Sequence, residues 1–83
     1  MSGTKKVFNE LCGDAAEQFS AGLGIKQIQS NIAYVAERYG VSMLTAIDVA
    51  ERFGEALNNL HKKELSITDS SVAEEYFRLA NSK

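Results

Sequence analysis

His61 and Cys12 are the chain's sole histidine and sole cysteine, and they limit the chemistry its side chains can do. A nucleophile–base arrangement needs a histidine beside a serine or cysteine and a third group to orient it. No stretch of this sequence assembles one. Glu64, three residues after His61, makes at most a two-ligand surface site. A single cysteine excludes an internal disulfide and leaves a thiolate zinc site short of ligands. Cys12 shares an apolar helical stripe with Phe8 and Leu11, so a buried, unreactive thiol is expected there rather than a nucleophile. His61 stands with Lys62 and Lys63 at a helix end, where cationic side chains complement the helix dipole and remain solvated. There is no glycine-rich phosphate loop. The expectation is a non-enzymatic protein with no cofactor, no metal and no small-molecule substrate.

Carboxylates form two lines, Asp48, Glu51 and Glu55 in the middle of the chain and Glu10, Asp14 and Glu17 near its start. Metal sites in helical bundles point their carboxylates inward and include a Glu-x-x-His pair. These side chains fall on polar arcs instead, which predicts solvated faces, with recognition of a basic protein surface as the functional alternative. The formal charge of −2 argues against a protein driven onto nucleic acid or an anionic membrane by electrostatics, and is far too small for mimicry of DNA. No apolar run reaches the length of a membrane span. Met1 to Lys6 is charged with no apolar stretch after it, so no signal peptide is expected, and a reducing cytoplasm is the expected compartment.

Val35-Ala36-Glu37-Arg38-Tyr39-Gly40-Val41-Ser42 resembles the turn of helix-turn-helix DNA-binding proteins. The small Ala36, Gly40 four residues later, the apolar Val41 and the later Val49 carry the resemblance. It implies a small, dimeric transcriptional regulator using residues 32–52, with Lys5, Lys6, Lys26, Arg38, Lys62 and Lys63 supplying phosphate contacts. The face presented to a groove would be Ser42, Met43, Leu44, Ile47, Asp48 and Glu51. Base reading uses Arg, Lys, Asn and Gln, and two carboxylates here would approach a polyanion. Nucleic acid is therefore the disfavoured alternative.

The elements that position these residues read as four helices. The chain has 83 residues, 45% of them hydrophobic, enough for one domain near the lower size limit, and proline is absent throughout. The first helix is expected from about Thr4 to Ala21, with Phe8, Leu11, Cys12, Ala15 and Phe19 on one side; Leu23 can extend that stripe. Gly13 and a capping box at Asp14–Glu17 could interrupt it, but the stripe crosses Gly13 in phase, which favours one helix. Gly22 and Gly24 bracket a turn. The second helix runs from about Ile25 to Tyr39, with Ile25, Ile28, Ile32, Val35, Ala36 and Tyr39 inward. After Gly40, Ser42 caps a third helix reaching Lys63. Leu65, Ser66 and Ile67 form a short linker whose apolar side chains are expected against the core. The last helix covers about Asp69 to Asn81; Thr68, Asp69, Ser70 and Ser71 all offer N-caps, with Ser71 and Glu74 at capping-box spacing. It turns Val72, Tyr76, Leu79 and Ala80 inward, with Phe77 a further candidate.

The third helix carries an apolar side about half its circumference wide: Met43, Ala46, Ile47, Val49, Ala50, Phe53, Gly54, Ala56, Leu57 and Leu60. A surface helix needs a stripe of only about 100°. The third helix is thus expected at the centre, with neighbours on both flanks, in an all-α, compact four-helix domain of bundle or orthogonal arrangement. Ala46, Ala50 and Gly54 make a ridge of small side chains, read as a close intramolecular helix contact with a subunit contact as the alternative. Two residues sit on the wrong arcs: Tyr34 among polar side chains of the second helix, and Leu44 beside Asp48 and Glu51 on the third. Exposed apolar side chains near one turn mark an interface. The expected function is a protein–protein interaction or regulatory module binding another protein or a second copy of itself. Tyr34, Met43, Leu44, Ile47, Asp48 and Glu51 are its expected contact residues, the carboxylates restricting partner choice through charge.

Overall fold

A computed structural model of the chain describes residues 2–82, with side chains described from residue 5 onward. It contains α1 (Ser2–Ser20), α2 (Ile25–Arg38), α3 (Met43–Lys62) and α4 (Asp69–Ala80), with no strand among the described residues. Each helix packs on its neighbour in sequence, and α4 returns to α1, so the four close into a ring. α1 also reaches across to α3, whereas α2 and α4 do not meet among the described residues. The expected all-α, four-helix domain is therefore what forms, and α3, its longest helix, lies between α2 and α4.

Apolar periodicity explains this closure. Leu11, Cys12, Ala15 and Ala16 of α1 meet Ile28 and Ile32 of α2, Phe53, Leu57 and Leu60 of α3, and Val72 and Tyr76 of α4 in one buried cluster. Phe8 joins it from the side, its ring centroid 5.7 Å from that of Phe53 and 4.9 Å from that of Tyr76. Phe77 does not turn fully inward. It is half exposed, with its ring 4.8 Å from Phe8. α1 runs through Gly13 without a break, and the Asp69 carboxylate lies over the glycine at the distance an added Cβ would tolerate.

The ridge of small residues on α3 is enclosed within the chain, with α2 lying across it at Gly54. Ala46 and Ala50 are buried, and the side chain of Gln29 lies across Gly54 so tightly that a Cβ there would stand 2.7 Å from its amide carbon. The contact is intramolecular, as the first of the two readings had it. The wide apolar side is covered only in part: Met43 and Ile47 belong to it but are exposed, while Ala46 between them is buried.

The helix ends are set by specific hydrogen bonds. Gly40 has φ of +92°, and the N–H of Val41 donates to the carbonyl of Ala36 while that of Gly40 donates to Glu37, a Schellman closure that glycine makes at no steric cost. Gly22 repeats it at the end of α1. α3 ends by the same pattern on Glu64, with φ of +57° and Leu65 N–H donating to the Leu60 carbonyl. A non-glycine residue there carries strain. Leu65 follows that turn outward and is exposed, so only Ile67 of the linker packs on the core. Of the candidate caps of α4, Thr68 is the one used, and the capping box pairs it with Ser71 rather than Ser71 with Glu74. Thr68, extended at φ −129°, accepts from the Ser71 N–H, and its own N–H donates to Ser71 Oγ at 2.8 Å; Ser71 occupies the position expected for Glu74.

One polar feature lay outside the periodicity argument. Glu75 is the only buried charged residue among those described. It accepts from Asn59 at 3.0 Å, is bridged by Arg78 on its own helix, and lies 3.7 Å from the Lys63 ammonium. The Arg78 hydrogen bonds outweigh the cost of burial and, with Asn59 and both cations, hold the carboxyl down from 4.5 to about 2. It ties α4 to the C-terminal end of α3. The only hint in the sequence was Arg78 at i+3.

Candidate functional site

α3 leaves the Gly40 turn with its first two turns almost bare. From Ser42 to Asp48 every residue except Ala46 is exposed. Ser42 caps the helix, its Oγ accepting from the Thr45 N–H at 3.3 Å. The large side chains left exposed there are apolar: Leu44 is 82% exposed, Met43 63% and Ile47 44%. Apolar surface on two successive turns of one helix is a contiguous strip, since residues three and four apart are neighbours.

Below that strip a shallow groove of about 330 Å³ separates α2 from α3. Lys26, Gln29, Ser30 and Ala33 form its α2 wall, and Ile47, Ala50 and Glu51 its α3 wall. Ala33, Ala50 and Ile47 are the apolar residues that line it. Its floor is therefore apolar, with Lys26 on one rim and Glu51 on the other.

The six residues expected to make contacts are all exposed, and they divide into three groups. Ile47 and Glu51 line the groove. Met43, Leu44 and Asp48 continue its α3 wall toward the Gly40 turn, and Asp48 is held by Arg52 of the same helix at 3.5 Å. Tyr34 follows Ala33 on α2, with its ring under the Arg38 guanidinium at 5.9 Å. Sequence reading missed the other wall of the groove, Lys26, Gln29 and Ser30. These polar residues of a peripheral helix carry no signal until α3 is placed beside them.

The remaining candidates lie elsewhere. Cys12 is buried, and burial followed by the Asp69 charge pushes its thiol up to about 12, which removes it as a nucleophile. His61 is exposed, its ring edge-on to Phe19 with the centroids 5.5 Å apart. A wider, acidic cleft of about 530 Å³ lies between α1 and the α3–α4 linker, with Asp14, Glu17 and Asp69 around it. Burial, then the Glu10 and Glu17 charges, raise the Asp14 carboxyl above its ordinary value. Its carboxylates do not converge: among the described residues no three His, Cys, Asp or Glu side chains gather as metal ligands would. No helix of the described residues is long and apolar enough to cross a membrane. Comparison with family models, curated proteins and solved structures found no match for the chain.

Proposed function

We propose that the chain is a small, non-enzymatic interaction module of the cytoplasm, which docks on a protein through the α2–α3 face. The observation that carries this reading is the strip of Met43, Leu44 and Ile47, left bare on a helix whose other large apolar side chains are enclosed. Full burial of such a side chain is worth about 1.5–3 kcal/mol, and here it can be realised only against a second molecule. Tyr34 widens the strip on α2, and Glu51 with Asp48 restricts partner choice by charge. Leu44→Asp tests the reading. It should abolish retention of a specific partner by the immobilised protein while leaving the helical circular dichroism unchanged; unchanged retention would remove this face from the account.

A second reading, DNA binding by α2 and α3, draws on the turn. Ala36 is buried, Gly40 takes the positive φ, and the following helix presents its first turns to solvent, as the helix-turn-helix resemblance implies. Against it stands that outward face, which includes Asp48 and Glu51 and no cation. A duplex-shift titration at low salt separates the two readings. Binding that weakens steeply as salt rises would favour DNA.

A further inference from the structure

We infer that the occupant of the α2–α3 groove is Leu44 of a second copy of this chain, the two copies being related by a two-fold axis beside Ile47 with their α3 helices antiparallel. This deepens the docking reading and rests on it.

Leu44, the most exposed large apolar side chain among the described residues, is a knob, and the groove lined by Ala33 and Ala50 is a hole. The knob stands one helical turn from Ile47, on the wall of that hole. When a protrusion and its complementary cavity share one face at so short a separation, a two-fold axis between them fills both holes at once and closes the assembly. A widely separated knob and hole would instead build an open chain of molecules. The groove, about 330 Å³, is roomy enough to admit a branched apolar side chain.

Charge favours the antiparallel register. The first turn of α3 contains no acidic residue, and Ser42 satisfies only the Thr45 amide, leaving the positive end of the helix open. With the helices antiparallel about Ile47, Leu44 lies opposite Ala50 of the second copy, and Glu51 of that copy lies opposite Met43, at that positive end. Asp48, the carboxylate nearest the axis, is already paired with Arg52 of its own helix at 3.5 Å, which limits repulsion between the two copies. Lys26, across the groove from Glu51, and Arg38, over the Tyr34 ring, add cations to the α2 side. A parallel arrangement would set the two acidic lines side by side.

Sedimentation equilibrium of the full chain tests the assembly, and an introduced thiol tests its geometry. The apparent mass should rise from 9.1 kDa toward twice that value as concentration increases, and Leu44→Asp should weaken association about tenfold or more. Ile47→Cys, next to the axis, should give a disulfide-linked dimer under oxidised glutathione; Glu74→Cys, exposed on α4, should not, and the buried Cys12 stays out of the reaction. A mass of 9.1 kDa at every concentration, or equal cross-linking of the two cysteine variants, overturns the dimer. If the mass stays monomeric while Leu44→Asp still abolishes retention of another protein, the dimer falls and the docking face stands. If Leu44→Asp changes neither, both fall.

Discussion

The two halves of α3 are built from the same kinds of residue and do opposite work. Beyond Val49, the helix buries Ala50, Phe53, Gly54, Ala56, Leu57 and Leu60 between α2, α4 and α1. Before it, Met43, Leu44 and Ile47 face solvent around a single buried alanine. The difference is in coverage, not in composition. After the Gly40 corner the small Ala46 is buried and the large Met43, Leu44 and Ile47 are left outside. An apolar arc reports how much surface a helix would bury given neighbours, and the neighbours decide where it does so.

That contrast can be broken from the buried end first. Phe53→Ala should cost about 3–5 kcal/mol in urea unfolding, since the ring is fully enclosed and touches both Phe8 and Tyr76. Glu75→Gln should cost about 1–2 kcal/mol near neutral pH, because charged hydrogen bonds at the α3–α4 junction become neutral ones, with Lys63 and Arg78 partly screened by solvent. Its pH signature is specific. The folded-state value of about 2 lies below the ordinary 4.5, so the wild-type chain keeps this stabilisation above pH 4.5 and loses it as pH falls toward 2. The Gln variant should lack that portion of the acid dependence, and a parallel profile would show that the carboxylate is not what joins the helices. Glu64→Gly should stabilise by about 0.5–1 kcal/mol by relieving the left-handed residue that ends α3. Leu44→Asp should have the smallest effect on folding of the monomer, within about 0.5 kcal/mol, despite being the most polar change to an apolar residue. A large loss there, measured where the chain is monomeric, would mean that the first turns of α3 are not free surface.

Legibility in the sequence followed the range of the interaction. Helix positions were readable because stripes such as Ile28–Ile32–Ala36 and Val72–Tyr76 repeat at 3.6-residue spacing, and because Gly22, Gly40 and Ser42 mark ends by local chemistry. The exposure of Tyr34 and Leu44 was readable because each lies on a polar arc. For Met43 and Ile47 the apolar arc alone does not separate core from surface, and the tertiary structure leaves both exposed. Leu65 was misplaced because its direction depends on Glu64 adopting positive φ, a conformation its residue type does not announce. Glu75 could not be anticipated as buried. Its charge is tolerated only because Asn59 and Lys63, from another helix, converge on it with Arg78.

By itself, then, the order of residues determined an all-helical chain and the phase of each helix, both consequences of interactions within a few positions. Tertiary packing alone decided which part of the wide apolar arc became core and which became surface, and it joined Lys26, Ala33 and Ile47 into one groove. The physical reason is that burial is a property of pairs of surfaces: a side chain's tendency to leave water is encoded locally, but the surface that receives it comes from elsewhere in the chain or from another molecule.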